Sequence, residues 1–391
     1  MNNNKRNNLV FVTEARFFKD NDGNYYGDAA FSDSLWDKYL SHFDKIFVLA
    51  RVGDSFGEDK IRINNSRVFF IDLPYFVGPV EYIKKIVSIK ARVREIVLSN
   101  RDKVFLCRIP GNISDLVISE LKKNKIKYSL EVVGDPSEVF AKGNFNHPLR
   151  GLIKYFSTRN MKRNVLGASN VLYVTNETLQ KKYPISKNAS EIGVSDVIIP
   201  ANPDRFIPKK SIQKKKQIIS VGSLEQMYKS PDIVLKALSL LKQKSSLDFN
   251  FIWLGGGKYE QQMINMAQEL GLDDVSFLGN VNRNKVDEML KDSDLFILAS
   301  RTEGMPRALI EAMSFGLPCI ATKVGGIPEL LSENVLVSKN SHEELAEKIA
   351  NILINDEFYE KESENNVGKA LFYEESYLTE KRNVFLNKLM E

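Results

Sequence analysis

The chain of 391 residues holds only two cysteines, three histidines and two tryptophans, and each scarcity removes a class of protein. Cys107 and Cys319 lie far apart in strand-like runs, which points to buried free thiols in a reducing compartment and away from a disulfide scaffold. His42, His147 and His342 are scattered, so no cluster has metal-ligand spacing. No apolar run approaches the roughly 20 residues needed to span a membrane. Leu9–Val12 is a short apolar run ended by Thr13 and Glu14, a first strand and not a leader. Negative charge is missing locally: no acid lies between Glu138 and Glu177. That gap carries Lys142, Arg150, Lys154, Arg159, Lys162 and Arg163, interleaved with Phe145, Leu149, Leu152, Ile153, Tyr155 and Phe156. Residues 1–200 hold 31 basic and 22 acidic side chains, a net of +9, and the remainder 24 and 28, a net of −4. The basic stretch is either a solvated helix face or a patch for an anionic membrane surface or lipid-linked phosphate. The lysines and arginines of 82–98 add to the same half. No nucleic-acid-binding motif accompanies the basic residues, so nucleic acid is not the expected partner.

What is present is an ordinary globular composition, 43% hydrophobic and 27% charged, with apolar runs alternating with helix-like segments. In the first half, strands are expected at Leu9–Thr13, Lys45–Ala50, Val68–Leu73, Val104–Arg108, Tyr128–Val133 and Val171–Thr175. Helices fall between them, and the loop Thr13 to Asp28 follows the first strand. Ile199–Pro208 contains three prolines and precedes the lysine-rich 209–216, marking a boundary. The pattern then restarts with strands at Ile218–Val221, Phe249–Leu254, Val275–Leu278, Leu295–Ala299, Cys319–Ala321 and Val335–Val337, and ends in a charged helical tail. Alternating βα units imply an α/β fold of two doubly wound, Rossmann-like halves.

The most informative segment is Ser300–Pro318. It leaves the apolar run Leu295–Ala299, breaks on Gly304, enters a helix through Pro306 and stops at Gly316, with Pro318 beyond. Glu303 lies at the carboxyl end of a strand, where open α/β sheets bind ligands, and Glu311 lies on the helix behind it. The helix's first turn offers free N–H groups to an anion. Carboxylates that take hydroxyl hydrogens beside amides that take phosphate oxygens suit a sugar-phosphate ligand. Gly222–Pro231 is a strand-to-helix loop with Lys229 at the helix entrance, a pyrophosphate site or an exposed lysine in a turn. Leu254–Gly257 is a binding loop or a tight turn.

Glu303 and Glu311 have the E-x7-E spacing of retaining, nucleotide-sugar-dependent glycosyltransferases of family four, and Glu303–Ala312 resembles a bacterial version of their donor site. The resemblance implies a GT-B fold, with two Rossmann-like domains facing a central cleft: an acceptor-binding domain over 1–199, a donor-binding domain over 200–370, and a final helix over 371–391 returning to the first domain. It implies a metal-independent, retaining hexosyltransferase of bacterial polysaccharide assembly. Such an enzyme needs no cofactor and takes a nucleoside diphosphate sugar, UDP-linked, as donor. The acceptor is a hydroxyl of a polysaccharide or lipid-linked saccharide. The location implied is the cytoplasm, at the inner face of the membrane. Lys229 is similar to the family's phosphate-binding lysine. With Glu303, which orients the hexose, it forms the catalytic pair. Glu311 holds the ribose, and Gly304, Met305, Pro306 and Arg307 line the phosphate. Gly222 and Ser223 open the lysine loop, and Gly279 and Val281 border the base. Two departures stand out. Ser223 replaces an arginine found in many members, for which Arg307 and Arg283 are candidate substitutes. Gly134 stands near the position of a donor-contacting histidine. Val324–Glu329 matches a turn that supports the E-x7-E helix. On the acceptor side the resemblance points to Arg16 of the first loop, with Lys19, Tyr25 and Tyr26, and to Gly134 and Asp135 in a segment continuing toward His147–Arg150. Asp135 is also a turn-forming Asp-Pro residue. Two other classes fit the sequence: a GT-B epimerase or phosphorylase, and a non-catalytic sugar-nucleotide-binding module.

Overall fold

The computed structural model describes residues 8–55, 57, 60–139, 150–210 and 215–391. The chain divides into two compact units, Met1–Val194 with Glu380–Glu391, and Ser195–Thr379. In the first, strands β1 (Asn8–Lys19), β2 (Tyr25–Gly27), β3 (Lys45–Gly53), β4 (Ile61–Arg62), β5 (Val68–Pro74), β6 (Val104–Ile109), β7 (Ser129–Val132), β8 (Asn170–Tyr173) and β9 (Ser190–Gly193) make one sheet. Seven of them run parallel in the order β5-β3-β1-β6-β7-β8-β9, while β2 pairs antiparallel with β1 and β4. Helices α1 (Asp33–Leu40), α2 (Gly78–Ser99), α3 (Asn112–Lys123), α4 (Pro136–Val139), α5 (Arg150–Leu166) and α6 (Thr178–Lys182) connect them. The core lies under α2 and α3, where Ile89, Val93, Ile113 and Val117 meet Val10, Val12, Cys107 and Leu130.

The second unit has β10 (Lys216–Val221), β11 (Phe249–Leu254), β12 (Val275–Phe277), β13 (Leu295–Leu298), β14 (Cys319–Thr322) and β15 (Leu336–Val337), all parallel in the order β12-β11-β10-β13-β14-β15. Its helices are α7 (Pro231–Lys244), α8 (Glu260–Glu269), α9 (Arg283–Asp292), α10 (Arg307–Ser314), α11 (Ile327–Leu330), α12 (His342–Ile354), α13 (Asp356–Ala370) and the start of α14 (Glu375–Leu389). β13 and β14 are buried at every position, as expected of parallel strands covered on both faces. In each sheet the chain reverses direction beside its first strand, between β1 and β6 and between β10 and β13. Doubly wound sheets bind ligands at such switch points. Cys107 and Cys319 are buried free thiols, and burial pushes both thiols up from their usual range.

Three expectations need correction. The stretch after Thr13 is not a loop: β1 runs to Lys19 and turns into the β2 hairpin. Thr13 Oγ1 accepts from Ala15 N (3.2 Å), the strand bulges, and pairing resumes with Arg16 opposite Arg51. Buried Phe17 and Phe18 hold this extension down. Pro306 stands just outside α10, not in its first turn. The final helix begins at Glu375 and not at residue 371, because Leu371–Tyr373 form a short turn after α13. There Ile199 N donates to Tyr373 O (2.8 Å) and Glu375 N to Ile199 O (3.1 Å), and Tyr373 is buried.

Candidate active site

Two neighbouring loops leave the carboxyl ends of β10 and β13 at the switch point of the second unit. The first contains Lys229 at the end of the turn Met227–Lys229. The next residue, Ser230, adopts a left-handed conformation (φ 54°), uncommon for a residue other than glycine. That reversal ends the turn and starts α7 at Pro231. The stem of Lys229 lies over Gly222, where a Cβ would come within 3.1 Å of its Cγ. Its ammonium reaches the second loop and pairs with Glu303 Oε1 at 2.6 Å, and Ser300 Oγ donates to the same oxygen at 2.6 Å. The Lys229 and Glu303 side chains are only 12% and 9% exposed, so little water competes with the contact.

Arg301, which no sequence motif singles out, joins the two loops. Its backbone N–H donates to Tyr228 O at 2.7 Å, and its guanidinium donates to Met227 O. The same guanidinium meets Asp232 at 3.0 and 3.2 Å and Asn340 Oδ1 at 3.0 Å. One side chain thus ties down the turn that carries Lys229. An arginine two residues before a candidate ligand was the available signal.

Glu311 is 3% exposed on α10 and is held in a chain of alternating charge. Arg283 Nη1 donates to Glu311 Oε1, and Arg283 Nε pairs with Asp287 Oδ1 at 3.2 Å. Asp287 Oδ2 accepts from Arg205 at 2.6 Å. Arg205 is itself buried against the Phe315 ring, 4.0 Å from its centroid, and donates to Ser314 Oγ. Arg283 is therefore engaged with Glu311, while Arg307 lies exposed in the first turn of α10. Ser223 is exposed, and its hydroxyl accepts from Glu225 N at 3.2 Å within the loop.

Glycines let these loops approach one another. Gly255 (φ 119°) lies so close that a Cβ would sit 2.3 Å from Gly222 O. Gly256 O accepts from Leu224 N at 2.9 Å, and Gly279 O from Gly255 N at 2.8 Å. The Leu254–Gly257 glycines thus support the lysine loop by backbone contact. Val281 packs half-buried on the core. Gly325 (φ 53°) places its Cα under the Glu303 carbonyl, where a Cβ would be 1.9 Å from the oxygen, and Gly326 N donates to Gly304 O at 2.9 Å. The Val324–Glu329 turn therefore supports the Glu303–Gly304 loop directly.

In the first unit, Arg16 is exposed on β1. Lys19 lies over the Tyr25 ring, and Tyr26 donates to Asp20 Oδ2 at 3.0 Å. Asp135 accepts from Ser137 N (2.8 Å), Ser137 Oγ (2.9 Å), Tyr183 OH (2.6 Å) and Lys182. Burial opposes its ionisation, but these donors prevail and lower its pKa. Gly134 is half-buried with room beside it, since the nearest atom to a Cβ would be Pro110 Cδ at 3.7 Å. His147 lies outside the described residues, as do Lys142, Phe145 and Leu149. Glu14, which belongs to no sequence motif, is pushed by the β1 bulge to α3, where it accepts from Ile113 N at 2.9 Å and pairs with Arg51 at 3.3 Å. Burial raises its pKa, against the opposing backbone donor and Arg51.

Two parallel doubly wound sheets, with a carboxylate–lysine pair at the switch point of the second, define a two-Rossmann protein of the GT-B fold. Sucrose-phosphate synthase from Thermosynechococcus elongatus superposes with a TM-score of 0.66 at 14% identity, over 98% of this chain and 99% of that one. Residues 203–368, which lie within the second unit, match the glycosyl transferases group 1 family. Protein CapJ of Staphylococcus aureus is 27% identical over 90% of this chain and 88% of its own length. The putative colanic acid biosynthesis glycosyltransferase WcaL of Escherichia coli is 34% identical, over 37% of this chain and 38% of its own.

Proposed function

We propose that the protein is a retaining hexosyltransferase that takes a sugar from a nucleoside diphosphate donor, with UDP as the nucleotide, and passes it to a hydroxyl of a polysaccharide or lipid-linked saccharide. The observation that carries this reading is the shielded Lys229–Glu303 contact at 2.6 Å, with Glu311 on the helix that follows. Breaking the bond from the anomeric carbon to the diphosphate leaves negative charge on a phosphate oxygen, and preorganised cations and amides lower that barrier. Lys229 turns from Glu303 to the diphosphate when the donor arrives. Arg307 and the amides of Gly304 and Met305 meet the same charge, in place of the arginine absent at position 223. Released from the lysine, Glu303 accepts hydroxyl hydrogens of the hexose and faces the positive charge that develops at its anomeric carbon. Glu311, oriented by Arg283, accepts the ribose hydroxyls. The acceptor oxygen bonds to the anomeric carbon on the face the diphosphate leaves, and the acceptor's proton passes to the departing phosphate oxygen. No metal ion has a part in this scheme. Arg16, Gly134 and Asp135 belong to the acceptor side. The likeness to a protein named for colanic acid biosynthesis supports a polysaccharide acceptor.

Incubation with a panel of labelled UDP- and GDP-sugars tests the reading. Release of UDP in the presence of a chelator, with the anomeric configuration kept in the product, is the expected result. Isomerised sugar nucleotide would indicate an epimerase, and binding without turnover a non-catalytic module; either outcome overturns the proposal.

A further inference from the structure

Helix α2 has two apolar faces, and only one of them has a partner. Ile89, Val93, Ile96 and Val97 are buried against the sheet. On the opposite side Val80, Ile83 and Val87 are 65%, 69% and 77% exposed, with Val77 and Leu98 exposed at the two ends. At about 100° per residue, Val80, Val87 and Leu98 fall on one line along the helix, with Ile83 and Ala91 beside it. Exposed Lys84, Lys90 and Arg94 border that line, and Glu95, the one acid on its margin, is neutralised by Arg92 at 2.8 Å. A surface helix of an α/β unit normally turns polar residues outward, and an aliphatic stripe this exposed marks a contact surface.

The topology widens the surface. The connections β5-α2-β6, β6-α3-β7 and β7-α5-β8 all advance in the same direction across the sheet, so right-handed crossovers put α2, α3 and α5 on one face. α3 packs against both of the others. Between α2 and α3 runs a groove of about 700 Å³ bordered by Lys90, Arg94, Lys123 and Glu120. On α5, Leu152, Tyr155 and Phe156 are more than half exposed, and the helix carries five basic residues and no acid. Apolar stripes on two helices thus flank a basic groove on one side of the unit.

We infer that this face docks on an anionic membrane, with the α2 stripe at the level of the lipid headgroups and Lys84, Lys90 and Arg94 against their phosphates. Charge complementarity selects this occupant. In a symmetric dimer the stripe would meet its own copy and set lysine against lysine, a repulsive arrangement. An anionic lipid surface takes the same aliphatic side chains and rewards the same charges. Among the described residues no helix is long and apolar enough to cross a membrane, so the contact is one of lying on the surface. The inference does not depend on the donor chemistry proposed above.

The test is co-sedimentation of the full chain with vesicles of phosphatidylcholine containing 30% phosphatidylglycerol, and with pure phosphatidylcholine, at about 0.1 M salt. Wild-type protein is expected to bind the anionic vesicles and to release as salt is raised. Lys84→Gln/Lys90→Gln/Arg94→Gln is expected to weaken binding about a hundredfold, at about fivefold per charge removed near the surface. Ile83→Asp/Val87→Asp is expected to abolish it. Both variants should hydrolyse donor at the wild-type rate, which shows that they fold and separates this test from that of the donor site. Failure of the wild type to bind, or binding indifferent to both variants, overturns the inference. So does a concentration-dependent dimer in sedimentation velocity that Ile83→Asp/Val87→Asp abolishes.

Discussion

Removing the guanidinium of Arg301 should disable Lys229 without touching it. Arg301 holds Met227 O, Asp232 and Asn340, and its own amide holds Tyr228 O. Hydrogen bonds to a charged group contribute about 1.5–3 kcal/mol each when shielded. The Arg301 side chain is 34% exposed, so solvent screening reduces the set to a total of about 2 kcal/mol. Arg301→Met should therefore lower stability by about that amount and leave the fold intact. In the proposed mechanism a loosened turn would no longer hold Lys229 at a fixed distance from the leaving diphosphate, and kcat/KM should fall about 10- to 30-fold, mostly in kcat. Arg301→Lys should be nearly as poor, because one ammonium cannot serve three separate acceptors as a planar fork does. The assay is a double-mutant cycle on donor turnover. If Arg301 acts through Lys229, then Lys229→Met/Arg301→Met is no slower than Lys229→Met alone. Strictly multiplicative losses would refute the argument.

Two further perturbations test the surroundings. Gly325→Ala places a Cβ 1.9 Å from Glu303 O at a φ of 53°, so thermal melts should show a loss of about 3 kcal/mol or more, and donor turnover should drop with it. In the first unit, burial raises Asp115 from 3.8 to about 6, helped by Glu14 and opposed by Asn160, Asn164 and Lys122. An acid raised in the folded state favours folding while protonated. Its penalty is absent below pH 3.8, grows through the window up to about pH 6, and is complete above it at about 3 kcal/mol. Asp115→Asn should accordingly stabilise the protein above pH 6 and lose that advantage toward pH 4 in melts across the range; a pH-independent difference would contradict the assignment.

The sheets were legible in the sequence because parallel strands buried on both faces read as continuous apolar runs, as Leu295–Leu298 does. Gly304, Pro306 and Gly316 punctuated the helix that carries Glu311, so the loop that carries Glu303 could be placed from residue types alone. Elsewhere tertiary contacts decided. The β1 extension depends on a bulge at Thr13–Ala15 and on Phe17 and Phe18 finding a core, neither of which has a local period. The partners of Lys229 and Glu311 come from 74 and 28 residues away in the chain, a distance no motif spans. Arg283, a candidate for the missing phosphate ligand, proved to be engaged with Glu311. The glycines of Leu254–Gly257 and Gly325–Gly326 looked like binding loops or turns and serve to let one backbone approach another. The residues expected to meet an acceptor had the weakest signals, and Asp135 among them is held by Ser137 and by Lys182 and Tyr183 at the end of α6.

The most direct test of the central claim is the affinity of UDP for wild type and for Glu311→Gln by isothermal titration. The substitution keeps the side chain's volume and removes the charge that is to accept the ribose hydroxyls. A loss of about 30-fold in affinity, near 2 kcal/mol for charge-assisted hydrogen bonds, with a parallel loss of donor turnover, is the predicted result. Unchanged affinity and unchanged turnover would place the nucleotide elsewhere and contradict the account.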